Sequence, residues 1–413
     1  MDSEMKRLVD RIAEFDRKLN EALLGIDSLR RRMTAYVGDG VALTHLFDDT
    51  PIYVNSHDFG APSNFMNGGL YEMENLDVLL SFVRDDTVFL DIGANLGYFS
   101  LMVGRRVRPH GRVHAFEPNP EIMGLLRASA YLNGFGNLDR PEGFIISHPI
   151  AAGDENRTAE FGMPDNHAGG GVQLIEGSSF AGRRFFSEMR RLDDYFDPAF
   201  TCDLVKIDVE GGELAALRGM REILKRSKSV KVLFEKLGVN VGSEGALETL
   251  FAELRFRLYA VEGDARLRLL APDGLRTYSG YVLAAPDDLD LNLKSRTAFD
   301  IYPRQFNTVA ATLVSLGRER LKATGSQGQI LFHGPYWFLR GGVYEFTVEA
   351  SMEGELIFAL ASRFGHKQHE VKITDKTFTL VVKRDMLYFE CIGVVSSSTA
   401  SISLQAVRIR RVG

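Results

Sequence analysis

The sequence predicts a doubly wound α/β domain with a mainly parallel sheet, set between an N-terminal helical coiled coil and a C-terminal all-β sandwich. Three patterns predict it. From Val88 to Val282, short apolar runs alternate with helical patterns, as parallel strands joined by helical crossovers do. At the start, Met5, Leu8, Ile12, Phe15, Leu19, Ala22, Ile26, Leu29 and Met33 alternate spacings of three and four, the seam of a coiled coil. From Ile330 onward, short and largely alternating runs are broken by Gly, Asp or Ser, which suits a small sandwich.

At 413 residues the chain exceeds one ordinary domain. The boundaries expected are 1–36 for a coiled coil that sets a homo-oligomer (dimer or trimer), 37–285 for the α/β domain, 286–321 for a linker with a short helix from about Thr308 to Leu321, and 322–413 for the sandwich. A net charge of −6 provides no basic field for nucleic acid. Cys202 and Cys391 stand far apart, which points to a reducing compartment rather than a disulfide framework. The charged start, Met1 to Arg7, has no apolar h-region, and no run approaches the ~18 apolar residues of a membrane helix. A cytoplasmic protein without a transmembrane segment is therefore expected.

Within the α/β domain, strands are expected at Val88–Leu90, Val113–Phe116, Phe144–Ile150, Leu204–Val209, Val230–Phe234 and Gly280–Leu283. Helices are expected at Glu72–Arg84, Pro120–Asn133, Glu213–Lys225 and Ser243–Leu254. Arg255–Val261 and Gly280–Leu283 are candidates for an antiparallel pair at the sheet's end.

The first strand runs into Asp91-Ile92-Gly93-Ala94-Asn95-Leu96-Gly97. Glycines let such a turn take positive φ and let a ligand approach the backbone, so this is the place for a nucleoside. Glu117, twenty residues after Gly97 and at the end of the next strand, can accept hydrogen bonds from both ribose hydroxyls. In Lys206-Ile207-Asp208-Val209-Glu210, alternation puts Lys206, Asp208 and Glu210 on one side of a strand end, where carboxylates can take up an acceptor's proton or hold a divalent cation. Glu235 ends the following strand and faces the same cleft. Glu213 suits a helix's first turn, and His167 lies in a glycine-rich loop able to cover an acceptor.

Together these residues resemble the FkbM family of S-adenosylmethionine-dependent methyltransferases. The resemblance runs from about Gly69 to Gly238 through Tyr71-Glu72, the Asp91–Gly97 loop, Phe116-Glu117-Pro118-Asn119, Ala151 to Asp154, Leu192-Asp193 and Val205 to Gly211. It implies a Rossmann-like class I methyltransferase fold with a seven-stranded sheet, S-adenosylmethionine as cofactor, and O-methylation of a hydroxyl on a sugar, polysaccharide or glycosylated precursor. It also implies that Asp91, Gly93, Asn95 and Gly97 surround the methionine end, with Glu72 near the amino acid group. Glu117 falls to the ribose, Asn119 to the adenosine and Asp154 to the adenine wall. Asp208 and Glu210, then His167, are the candidates for the base. Related enzymes of this fold use magnesium, and Asp208, Glu210 and Glu235 are the ligands if this chain does. Two rivals remain at this stage. One is a catalytically silent cofactor- and glycan-binding scaffold. The other is an NAD-dependent dehydrogenase, against which Asn95 stands in the second glycine position of the dinucleotide fingerprint. In the sandwich, Trp337 beside Tyr336 is a candidate sugar platform.

Overall fold

The computed structural model describes residues 33–413 except 49, 68, 70, 108–110, 136–144, 166–170, 175–179, 237–244, 263–265, 290, 292–295, 302–311, 317–320, 340–341, 363–365, 374–376, 384–385 and 413. The expected coiled coil, apart from its last few residues, and His167 therefore lie outside the described residues. Two compact units make up the chain, one over Thr34–Leu46 and Thr50–Leu293, the other built on Lys294–Gly413.

The first unit holds the predicted parallel sheet. Its strands are β1 (Val88–Ile92), β2 (Arg112–Phe116), β3 (Ile145–His148), β4 (Leu204–Ile207), β5 (Lys231–Lys236), β6 (Phe256–Glu262), β7 (Arg266–Leu269) and β8 (Gly280–Pro286), in the order β7-β6-β8-β5-β4-β1-β2-β3. From β3 through β5 every pairing is parallel. β8 then pairs antiparallel with both β5 and β6. The sheet has eight strands where seven were expected, because β7 folds back on β6 as an extra edge hairpin. All four residues of β4 are buried, as in a strand covered on both faces. The strand order reverses between β1 and β4, so a crevice opens at their carboxyl ends, where ligands bind in such sheets.

Helices α1 (Met73–Leu80), α2 (Tyr98–Gly104), α3 (Pro120–Leu132), α4 (Glu213–Gly219), α5 (Arg221–Arg226) and α6 (Ala246–Leu254) pack with the strands. The single helix expected over Glu213–Lys225 is two. A Cβ on Gly219 would stand 1.8 Å from the Gly153 carbonyl oxygen, so glycine there lets the chain press against Gly153 and the helix breaks after it. Sequence reading also missed a second sheet between β3 and β4. There, Arg157–Met163 pairs antiparallel with Arg183–Arg190, flanked by Ala151–Ala152 and Val172–Gln173. Its Phe161 and Phe185 rings stack at 5.4 Å.

β2 and β3 enclose two neutral histidines. His114 and His148 share a hydrogen bond at 3.0 Å, and His148 meets the Tyr195 hydroxyl at 3.0 Å. Phe116 stacks on His148 at 4.4 Å. Burial, joined by neighbouring positive charge, lowers His114 to about 4 and His148 to about 3. In the unfolded chain each protonates near its ordinary value, so the unfolded state binds more protons between pH 6.5 and 4. Stability should fall as pH drops through that window, by up to ~1.4 kcal/mol per pH unit for each histidine. Urea denaturation from pH 7 to 5 measures it, and His148→Phe should flatten the dependence. An equally steep curve in that variant would place the effect elsewhere.

The second unit is built of two antiparallel sheets. One contains Thr312–Leu316, Leu321–Ser326, Thr399–Arg411, Gly342–Glu353 and Thr377–Val382, with Arg296–Ile301 on Thr399–Arg411. The other contains Ile330–Phe332, Met386–Val395, Leu356–Ser362 and His366–Lys372, with Pro335–Leu339 on Met386–Val395. Phe358 of one sheet meets Phe346 and Phe378 of the other at 5.9 and 5.1 Å between ring centroids. Two expectations change here. The helix expected from about Thr308 to Leu321 is replaced by the strand Thr312–Leu316, paired with Leu321–Ser326. The supposed linker carries the strand Arg296–Ile301. Residues rich in threonine and valine adopt whichever form completes a sheet edge, and neighbouring strands decide it. The side chains of Tyr336 and Trp337 are outside the described part, which leaves the sugar platform as an expectation.

Candidate active site

The Asp91–Gly97 turn is stitched to β2, since the Phe116 carbonyl accepts from the amides of Gly93 and Ala94 at 3.0 and 2.9 Å. Gly93 has φ +75°, and a Cβ on it would stand 1.9 Å from the Asp208 carbonyl oxygen. Its glycine is thus required by β4 as well as by any ligand. Asn95 holds φ +50°, a conformation asparagine tolerates better than most residues, and its amide donates to Glu117 Oε2 at 3.0 Å. Gly97 has φ +87° ahead of α2, where a Cβ would meet Leu126 Cγ at 2.9 Å. Gly97 packs against α3 and does not line the cleft.

A cleft opens between this turn, the ends of β2 and β4, and the second sheet. At one end lie Glu117, Asn119, Ile150, Phe161, Phe185 and Met189; at the other lie Tyr71, Lys206, Asp208 and Glu210. Glu117 is the centre of the first end. Its Oε1 accepts from the Asn119 amide at 2.9 Å and its Oε2 from Asn95. Burial pushes its carboxyl up to about 7, against the pull of those two amides. Asn119 lines the cleft but also caps α3, its side chain accepting from the Glu121 amide at 3.0 Å.

At the other end, Lys206 is 3% exposed. Its ammonium reaches Asp208 Oδ2 at 3.1 Å and lies 5.0 Å from the centre of the Phe99 ring. Burial alone would lower Lys206, but Asp208, Asp91 and Glu72 hold it well above its usual range. Asp208 Oδ2 also accepts from the Tyr281 hydroxyl at 3.0 Å. Burial works to raise Asp208, yet Lys206 and the hydrogen bonds from Tyr281 and Glu235 leave it lowered. Glu235 is pushed up to about 7 by burial first, and then by Asp208, Glu210, Glu72 and Glu213.

The remaining expectations divide. Asp91 is fully buried, takes the Ser100 hydroxyl on Oδ2 at 2.6 Å, and has no partner on Oδ1. It stands behind the turn rather than on the cleft wall. Glu72 precedes α1 with φ +43° and accepts from Asn75 at 3.0 Å, beside Tyr71 and Tyr281. Asp154 does not line the cleft; the chain turns away at Gly153, and the Asp154 carbonyl accepts from Arg191 at 3.0 Å. β4 ends at Ile207, so Glu210 (φ +51°) sits in a turn rather than at a strand's next alternate position, and still lines the cleft. Glu213 closes that turn, accepting from the Gly211 and Val209 amides at 3.0 and 3.3 Å. For the magnesium site considered at Asp208, Glu210 and Glu235, among the described residues no three His, Cys, Asp or Glu side chains are grouped to hold a metal ion. Sequence reasoning missed Tyr281 and the Phe161–Phe185 wall. The strand alternation of β8 carried the only signal for the tyrosine.

The family model of the methyltransferase FkbM domain matches residues 91–262. That stretch carries the turn, Glu117, the Lys206–Glu210 segment and Glu235. The chain is 28% identical over 157 residues to the hexuronic acid methyltransferase AglP of Haloferax volcanii, covering 37% of this chain and 58% of that one. It is 27% identical over 229 residues to the AMB antimetabolite synthetase AmbE of Pseudomonas aeruginosa, covering 48% of this chain and 10% of that one. The matches thus span less than two thirds of either relative. Among solved structures, fibrillarin from Aeropyrum pernix with bound S-adenosyl-L-methionine matches at 13% identity and a TM-score of 0.30, covering 61% of this chain and 97% of that one. No helix among the described residues is long and apolar enough to cross a membrane.

Proposed function

We propose that the chain is an S-adenosylmethionine-dependent O-methyltransferase that modifies a hydroxyl of a sugar, polysaccharide or glycosylated precursor. One observation carries the cofactor half. Glu117 spends one lone pair of each carboxylate oxygen on a backbone amide and keeps a second on each, with the residue on the cleft wall. That is an acceptor pair set for two vicinal hydroxyls, as a ribose presents them. Phe161, Phe185, Met189 and Ile150 supply the apolar surface a purine needs beside it. The sugar half draws on the similarity to the hexuronic acid methyltransferase.

S-adenosylmethionine would supply an electrophilic methyl group on a sulfonium. The chain's own part is to bind and orient. Glu117 and the Asn95 turn fix the nucleoside, and the carboxylates of Asp208 and Glu210 give the opposite end a negative field that suits a cation. Such alignment can carry much of the acceleration of an in-line transfer.

Calorimetry with S-adenosylmethionine tests the reading, and absence of binding at millimolar cofactor would sink it. The pH dependence follows from Glu117. Ribose hydroxyls donate to the charged carboxylate, and its folded-state value is raised to about 7. Affinity should therefore weaken as pH falls below 7, approaching tenfold per unit. Glu117→Gln should bind ~10- to 100-fold more weakly at pH 8, as charge-assisted hydrogen bonds are lost, and show little pH dependence. Label transfer from methyl-labelled cofactor to a glycan separates an enzyme from a silent scaffold.

A further inference from the structure

We propose that the strand Ala35–Gly38 is a dimer interface. Its free edge pairs antiparallel with the same strand of a second copy of this chain, which selects a dimer over a trimer. The pairing needs neither cofactor nor acceptor.

The strand belongs to a small antiparallel sheet ahead of α1, in the order Ala35–Gly38, Val41–His45, Pro51–Asn55. Its two edges are treated differently. At Pro51–Asn55 the edge is closed by α3 and its C-cap. There the Tyr53 amide donates to Ser129 Oγ at 2.9 Å, and the Pro51 carbonyl accepts from Asn133 Nδ2 at 2.8 Å. Among the described residues, Ala35–Gly38 pairs with Val41–His45 alone. An edge strand offers a row of backbone donors and acceptors, which natural proteins blunt with charged side chains, proline, a bulge or a covering element. Ala35-Tyr36-Val37-Gly38 has neither charge nor proline. The register slips only at Val37, so the regular pairing surface is Ala35 and Tyr36 with the residues leading into them.

The open edge is also apolar. Met33, Tyr36 and Val37 are 65%, 65% and 55% exposed. Tyr36 is in register with Ala42, and Ala42 with Val54, so the three share one face of the sheet. Ala42 and Val54 are buried on that face, and Tyr36 carries it out into solvent. The Tyr36 hydroxyl accepts from the Gly40 amide at 3.1 Å, which holds the ring in place. The sequence before the strand names the occupant. The apolar seam from Met5 to Met33 calls for further copies of itself, and only Thr34 separates its last residue from the strand. Copies joined by the seam therefore bring their free edges together. Seam spacing alone admits two copies or three. A strand edge admits two, because an antiparallel pair of identical edges is isologous and closes after a single two-fold. Pairing also ties the doubled sheet to both clefts. The Thr44 hydroxyl on its middle strand donates to the Phe65 carbonyl at 3.5 Å, and Phe65 lines the cleft.

Three measurements on the full chain test this. Sedimentation equilibrium should return twice the chain mass, and a monomer or a trimer overturns the dimer. Hydrogen exchange should show the amides of Ala35–Gly38 opening roughly tenfold more slowly than in Tyr36→Lys, where like charges come together across the pair. Equal exchange in the two proteins overturns the edge pairing, because a dimer held by the seam alone leaves those amides open. Slow exchange in a monomer means that another part of the chain covers the edge, and overturns it as well. In the third measurement, a short thiol-to-thiol reagent should join Tyr36→Cys into covalent dimers, since Cys202 and Cys391 are buried and do not compete. Phe186→Cys, 70% exposed on the second sheet, should stay single under the same treatment. Equal yields from the two introduced cysteines overturn the placement of the interface.

Discussion

Gly93→Ala is expected to cost the protein its cofactor site and much of its stability. The residue holds φ +75°, and the added Cβ would lie 1.9 Å from the Asp208 carbonyl oxygen and 2.9 Å from its carbon. Left-handed backbone alone costs an alanine ~1–2 kcal/mol. The larger penalty is the contact, because the obstruction is backbone and cannot rotate aside. Relief requires β1 and β4 to part at their carboxyl ends, where the Asp208 amide now donates to the Ile92 carbonyl at 3.0 Å. Overpacking of this kind typically adds ~1–3 kcal/mol, so a total loss of ~2–5 kcal/mol is expected. Since Gly93 and Asp208 border the same cleft, affinity for S-adenosylmethionine should fall more than 100-fold. Gly134→Ala is the control. It shares a positive φ of 70° but has open space where its Cβ would point, and should lose only the backbone part. Urea denaturation and calorimetry of both variants decide it. Similar small losses in both would show that strand contact is not what Gly93 serves.

Gly93 also shows how far the sequence could be read. The glycine turn and Glu117 were legible because strand, turn and acidic residue recur at a spacing set by the βαβ unit. What spacing conceals is which contact each residue makes. Gly97 serves Leu126, Asn119 caps a helix, and Asp154 turns away with Gly153. Those roles depend on elements distant in sequence. The same holds for Glu235, which stands between Asp208 and Tyr281 on neighbouring strands. Alternation placed Lys206 and Asp208 together, but misjudged Glu210 because β4 ends at Ile207. The antiparallel pair Arg157–Met163 and Arg183–Arg190 was missed because glycine and arginine interrupt its apolar alternation. In the second unit, Thr312–Leu316 falls within the helix expected from about Thr308 to Leu321 and forms a strand through pairing.

Lys206→Met tests the electrostatics that all these carboxylates share. The ammonium is the buried cation of the site, reaching Asp208 at 3.1 Å and acting on Asp91 and Glu72. Methionine keeps the side chain's length and apolar stem, so packing beside Phe99 changes little. What is lost is compensation. Asp91, fully buried with Oδ1 unpartnered, already sits above the usual carboxylate range through burial. Asp208 would lose the strongest influence holding it down. Removing one partner from a buried pair leaves an uncompensated charge and costs ~3–5 kcal/mol. The sign with pH follows from which form the fold then favours. Without Lys206 both carboxyls become harder to ionise in the folded protein than in the unfolded chain. Their folded-state values are raised, so the unfolded state binds fewer protons and stability falls as pH rises. The deficit against the natural protein should therefore be largest near pH 8 and shrink towards pH 5. Adding Asp208→Asn to Lys206→Met should recover part of the loss at pH 8, because the charge left unpaired is removed with it. Urea denaturation of the single and double variants at both pH values gives the coupling directly. Equal losses at pH 5 and 8, with no recovery in the double variant, would show that an uncompensated Asp208 charge is not what the substitution leaves behind.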